Sequence, residues 1–114
     1  MDIETASVQA MEQFAACGKL LIALGDRTRQ AIITTLIESE RNGMRVGEFT
    51  EKTHLSRPTV SHHLKVLLDS DVIGVTPEGA KNYYWLKLGG AWPSLVSLVN
   101  NIERLRAAGG NRDE

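Results

Sequence analysis

Three features of the sequence predict a mainly α fold with a small β-hairpin wing. The segment 55–69 reads as an amphipathic helix, apolar on one side and hydrophilic on the other. A shorter helical pattern stands just before it, across the turn His54-Leu55-Ser56. Two strand-like runs follow it, separated by a turn sequence containing Pro77 and Gly79. Helix, turn, helix and hairpin in that order describe a winged helix-turn-helix. The full expected order is helix, helix, a very short strand, helix, helix, strand, strand, helix. One domain over 1–108 holds all of it, with a frayed tail at 109–114.

The first helix is expected from Thr5 to Leu24, with an interruption near Gly18. Its apolar positions include Val8, Met11, Phe14, Ala15, Leu21 and Leu24. Gly25-Asp26 supplies a stop and then an N-cap for a second helix over 27–39, with Ile32, Ile33, Leu36 and Ile37 inward. Arg41-Asn42-Gly43 is a turn by composition, and Met44-Arg45-Val46 a very short strand. A third helix is expected over 47–53, with Val46 and Phe49 buried. Strands are expected over 72–76 and 82–86, rich in Val, Ile, Tyr and Trp. Ile73 and Val75 should point inward with Tyr84 and Leu86. Pro77-Glu-Gly-Ala-Lys81 is the turn between them, and Gly79 can take positive φ there. A last helix is expected over 92–106.

The helix beginning after Ser56 carries the functional expectation. At 3.6 residues per turn Val60, Leu64, Leu67 and Leu68 share one side. Pro58, Thr59, His62 and Lys65 fall on or near the other. Ser56 is a natural N-cap, and Pro58 is tolerated only in a first helical turn. The hydrophilic side holds residue types that read nucleic acid. Ser56, Thr59 and Ser61 can bond phosphates or base edges, and Thr59 can also touch a thymine methyl. Arg57 and Lys65 can reach phosphate oxygens, and Arg57 can instead take a guanine bidentately. Lys81 in the wing can reach a phosphate. Ser56 also has a strong reading as a helix cap and nothing more. His62 points toward the same side and is expected to meet DNA. His63 lies at the margin of the apolar side, where a hydrogen-bonded structural role is at least as reasonable. His54 is expected to be exposed.

Composition agrees with this reading and excludes others. The chain has 114 residues and is 42% hydrophobic, enough for one modest core. No apolar run approaches the ~20 residues that span a bilayer, and the N-terminus has no basic leader region. A cytoplasmic location is expected. Net charge is −1, yet the stretch from Arg41 to Lys87 carries seven basic and five acidic residues, so the middle is the basic part. No nucleophile-base-orienter set, phosphate-cradling loop or paired-acid cleft is in view, so an enzyme is not expected and no cofactor is called for.

The last helix repeats apolar residues at spacings of three and four: Trp92, Leu95, Val99, Ile102 and Leu105, joined by Val96 and Leu98. That is more apolar surface than a terminal helix needs for one small core. Packed against the amphipathic first helix of a second copy, with Met11 and Phe14 in the contact, it would form a two-fold dimer interface. Ordinary packing within one chain is the competing reading. A two-fold dimer would set two recognition helices ~34 Å apart, matching a pseudo-palindromic site.

Taken together, these residues resemble the ArsR/SmtB family of bacterial repressors. The resemblance runs through Ala23-Leu-Gly-Asp-Arg-Thr-Arg29, Leu55-Ser-Arg-Pro-Thr-Val-Ser-His-His-Leu-Lys-Val-Leu67, Glu78-Gly79 and Tyr83-Tyr84-Trp85-Leu86, about two-thirds of the chain in order. It implies a winged helix, a homodimer built on the first and last helices, and binding to a double-stranded operator that an inducer weakens. The departures are specific. Where metal sensors of the family carry a Cys-x-Cys motif, this chain reads Val46-Gly-Glu-Phe-Thr-Glu51. Where others hold metal on the last helix, this one has no His and a single acid, Glu103. A zinc site wants three or four converging ligands, so no metal site is expected. The family often has an arginine right after the wing glycine; here Ala80 precedes Lys81.

Cys17 is a single thiol, which excludes an intrachain disulfide. It reads either as a small buried hydrophobe or as a redox or thiol-ligand sensor at a dimer interface. An alternative function is also open: a winged-helix module that binds protein and not DNA. The inducer, which could be a small molecule, and the operator cannot be read from these residues.

Overall fold

The computed structural model describes residues 2–39 and 43–109. The expected turn at 41–43 and tail at 109–114 therefore lie mostly outside the described residues. Among those described, six helices and one hairpin follow each other: α1 Ile3–Ala16, α2 Gly18–Leu24, α3 Arg27–Ser39, α4 Val46–Thr53, α5 Arg57–Asp69, β1 Ile73–Glu78, β2 Lys81–Leu86 and α6 Trp92–Ala107.

Each boundary has a local cause. Asp2 starts α1 by accepting the Thr5 N–H at 2.8 Å. Cys17 (φ −90°, ψ 0°) breaks the first helical stretch into α1 and α2, at the expected interruption. Asp26 starts α3 by accepting the Arg29 N–H at 3.0 Å. His54 ends α4 in the left-handed region (φ 59°), its N–H donating to the Thr50 carbonyl at 2.9 Å. Only Leu55 and Ser56 then separate α4 from α5. The Ser56 Oγ accepts the Thr59 N–H at 3.3 Å, and Pro58 occupies the first turn, where its missing N–H costs nothing.

The core gathers one side of each central helix. Ile32, Ile33 and Leu36 of α3, Phe49 of α4, and Val60, Leu64 and Leu67 of α5 are buried with Met44, Val72 and Ile73. Phe49 meets Tyr84 of β2 edge-on, ring centres 6.4 Å apart, which ties α4 to the hairpin. The hairpin is antiparallel, with Ile73 opposite Leu86 and Glu78 opposite Lys81. Its loop is just Gly79 and Ala80. Gly79 has φ 63°, the positive value a two-residue loop with glycine in first place uses.

Several expectations are corrected here. The strands reach further than 76 and start before 82, so the turn is two residues long and not five. Pro77 fits inside β1 because both strands of a two-stranded sheet are edges. Met44 alone pairs with Tyr84, by two hydrogen bonds of 2.8 Å, and Val46 opens α4 instead of continuing a strand. Val75 is exposed, while Ile73 is fully buried. Ile37 was expected inward and is 60% exposed.

The base of the hairpin is joined to α6 through one tight corner. Asp71 has φ 60°, and its carbonyl accepts the Ala91 N–H at 2.8 Å. A Cβ on Gly90 would stand 2.3 Å from that carbonyl oxygen, so only glycine fits there. The Trp92 indole N–H donates to the Val72 carbonyl at 3.0 Å.

Candidate nucleic-acid interface

The hydrophilic side of α5 is open to solvent along its length. Ser56, Arg57, Pro58, Thr59, Ser61, His62 and Lys65 are all exposed, whereas Val60, Leu64 and Leu67 are fully buried. The helix is thus anchored from behind and free in front. Ser56 and Thr59 bond each other, the Ser56 hydroxyl donating to Thr59 Oγ1 at 2.9 Å. Both hydroxyls retain lone pairs and stay accessible. Lys65 reaches Asp69 one turn on, at 3.4 Å. An exposed pair at this spacing contributes only ~0.3–0.5 kcal/mol, so a phosphate can readily take its place.

His62 and His63 diverge as expected for neighbours on a helix. Their rings meet edge-on, with centres 5.2 Å apart. His62 faces solvent. His63 is half-buried, and its Nδ1 lies 3.2 Å from the Arg29 guanidinium nitrogen. A guanidinium only donates, so Nδ1 accepts and the neutral ring carries its proton on Nε2. Arg29 also donates to the Ala23 carbonyl at 2.7 Å and to the Ile22 carbonyl at 3.3 Å. One side chain thereby joins the end of α2, the start of α3 and α5. Sequence reasoning missed this role of Arg29, although the residue lies inside the segment that carries the family resemblance.

Burial pushes the His63 imidazole below its ordinary value of 6.5; Asp26 opposes this, and the positive charges of Arg29 and His62 add to it. The folded state therefore binds the proton less well than the unfolded chain. His63 contributes stability above pH 6.5 that is lost as the pH falls through the depressed folded value. Urea melts from roughly pH 7 to 5 should show the wild type losing stability more steeply than His63→Gln. Equal slopes would remove this linkage.

The expected dimer residues divide in two. Met11 (71% exposed), Phe14, Val99 (59% exposed) and Ile102 point away from the chain's own core. Trp92 and Leu95 do not: both pack against that core, and the Trp92 indole is held by Val72. Both remain partly exposed. α1 and α6 lie against each other, with Ala6, Ala10 and Leu98 buried between the elements, and leave an open apolar groove of about 560 Å³ lined by Met11, Phe14, Ile102 and Leu105.

Cys17 is 1% exposed. Its Sγ lies 3.3 Å from the Ser94 carbonyl, to which it donates, and 3.6 Å from the Gln13 amide nitrogen. The thiol is packed between α1 and α6 of one chain, in keeping with the small-hydrophobe reading. Its burial runs against the redox-sensor reading, which needs an accessible thiol. Among the described residues no three His, Cys, Asp or Glu side chains gather as metal ligands, and no helix is long and apolar enough to cross a membrane.

Comparison with known proteins decides the family. The profile for bacterial regulatory proteins of the arsR family matches residues 26–74, from the cap of α3 into β1. The HTH-type transcriptional regulator Rv2034 of Mycobacterium tuberculosis is 35% identical over 82 residues, covering 72% of this chain and 70% of the relative. The transcriptional repressor SdpR of Bacillus subtilis is 30% identical over 82 residues, covering 72% of this chain and 88% of the relative. The chain belongs to the ArsR family. Among solved ArsR-like structures, the transcriptional repressor BigR from Xylella fastidiosa is 26% identical with a TM-score of 0.60, covering 78% of this chain and 87% of that one. As an ArsR-family protein the chain is a DNA-binding transcriptional regulator with a winged helix, and its relatives are regulators, not enzymes.

Proposed function

We propose that this ArsR-family regulator is a homodimeric repressor. It grips a pseudo-palindromic operator through α5 of each protomer and releases it on a signal other than metal at the family's usual positions. The exposed row Ser56, Arg57, Thr59, Ser61, His62 and Lys65, braced by buried leucines, is the observation that carries this reading. Lys81 extends the row into the wing. Met11, Phe14, Val99 and Ile102 are candidates for the two-fold interface, since a soluble monomer rarely leaves so much contiguous apolar surface uncovered. Repression is favoured by SdpR and BigR, both described as repressors. The absence of thiols from α4 and of histidine from α6 argues against the metal positions.

Fluorescence anisotropy on a duplex from the gene's own upstream region is the direct test. Binding should weaken steeply with salt, and Lys65→Ala should lower the slope of log K against log salt by about one while leaving the fold intact. Salt-independent binding, or none to any duplex, would contradict the proposal.

A further inference from the structure

Beside the α5 face lies a cleft of about 530 Å³ that sequence reasoning did not find. Three segments distant in sequence form it: Arg45 with the start of α4, Arg57 at the start of α5, and Ala80, Lys81 and Asn82 at the wing tip. Each segment supplies one cation. The acids in the cleft are Glu48 and Glu51, both from α4. Glu48 is already engaged: its Oε1 accepts the Arg45 backbone N–H at 3.1 Å and lies 3.7 Å from the Arg45 Nε. With Arg45 and Glu48 paired, that leaves Glu51 against Arg57 and Lys81, and the cleft as a whole holds three cations and two carboxylates.

We propose that this cleft seats a single backbone phosphate of the bound duplex, held jointly by Arg45, Arg57 and Lys81, so that Arg57 is a phosphate ligand and not a reader of guanine. The inference rests on the DNA-binding reading above and deepens it. Guanidinium and ammonium groups only donate, and the three of them outnumber the two carboxylates of the cleft, leaving an excess positive charge that a further anion would offset. A phosphate offers acceptor oxygens on several sides, matching donors that arrive from three walls. Asn82 adds a neutral amide donor at the rim. The Arg45–Glu48 pair is exposed and therefore weak, so a phosphate can recruit the Arg45 side chain while Glu48 keeps capping α4. Arg57 opens α5 on the side of the wing, whereas Thr59, Ser61, His62 and Lys65 continue along the exposed face. Base discrimination then falls to those four, and the clamp fixes the register in which they meet the groove.

The test uses the full chain and a duplex selected by the protein from a random library. Affinity is measured for wild type, Arg45→Gln, Arg57→Gln and Lys81→Gln, on duplexes with single base-pair changes and on duplexes in which one phosphate at a time is a neutral methylphosphonate. All three substituted residues are exposed, and unchanged circular dichroism and melting temperature confirm the fold of each variant. Each variant should weaken every duplex by a similar factor, about 5- to 30-fold, with no relaxed base preference. One methylphosphonate position should weaken the wild type and leave all three variants indistinguishable from it. A base pair whose preference relaxes in Arg57→Gln would overturn the assignment of Arg57. Three variants mapping to three different phosphates, or an Arg45→Gln protein that binds like wild type, would overturn the shared clamp alone. A wild type that binds no duplex would overturn the underlying DNA-binding reading as well.

Discussion

Val99→Asp is expected to turn the proposed dimer into a folded monomer and to lower operator affinity by about two orders of magnitude or more. Val99 lies on the outer side of α6, 59% exposed in the isolated chain, so the substitution leaves the chain's own core untouched. In the proposed two-fold interface the same carboxylate would face Met11 and Phe14 and their symmetry mates. An unpaired charge buried there costs several kcal/mol. Each protomer would keep an intact α5, so weak, salt-dependent attachment to any duplex should survive. The large loss would come from separating two half-sites that the proposed dimer engages together. Sedimentation velocity and anisotropy on the same samples check both halves of this expectation. A variant that stays dimeric with wild-type affinity would place the interface elsewhere.

Phe49→Ala has the largest expected effect on stability. The ring is fully buried at the centre of the core and meets Tyr84 edge-on, so it joins α4, α5 and the wing. Truncating such a phenyl group typically costs about 3–5 kcal/mol. Domains of this size hold roughly 5–15 kcal/mol in total, so at least about a fifth would be lost. Urea denaturation at neutral pH measures it, and a loss below ~1 kcal/mol would show that the site collapses around the missing ring or that Phe49 is peripheral. Lys65→Ala provides the contrast: it should change binding with almost no change in the melt.

Helices α3 and α5 were legible in the sequence because their signals are local. Asp26 and Ser56 cap α3 and α5, Pro58 sits in a first turn, and the apolar residues of α5 repeat at helical spacing. The wing was recognised but its length was not. A Pro77 that reads as a turn residue is accommodated in β1 because no third strand needs its N–H. Val46 read as part of a strand because it follows Met44, but one residue pair is all the bridge to β2 contains. Apolar spacing on α6 could not say which residues serve the subunit and which face outward. Trp92 and Leu95 turned inward because the tight corner at Asp71 and Gly90 brings the first turn of α6 onto the core. Ile37 follows the helical period of α3, yet its neighbours there are Trp85 and Leu88 at an open cleft, and it remains exposed.

The interface residues divide in the same way. Those on α5 follow from a single helix's periodicity. Arg29 and Arg45 depend on contacts between segments far apart in the chain. Arg29 meets a residue 34 positions away, and the cleft at Arg45 needs the wing folded back beside α4. In the linear sequence Arg45 is one more charge in a mildly basic stretch, and the turn residues around it give no sign that Lys81 will lie across from it.

Dimethyl sulphate protection of guanine N7 across a selected duplex tests most directly whether two copies of α5 read DNA together. Two protected major-groove patches should appear, centred about 10 base pairs apart on one face of the duplex, and both should weaken together in Val99→Asp. A single patch, or protection that ignores the major groove, would contradict docking by the exposed side of α5 in a two-fold pair.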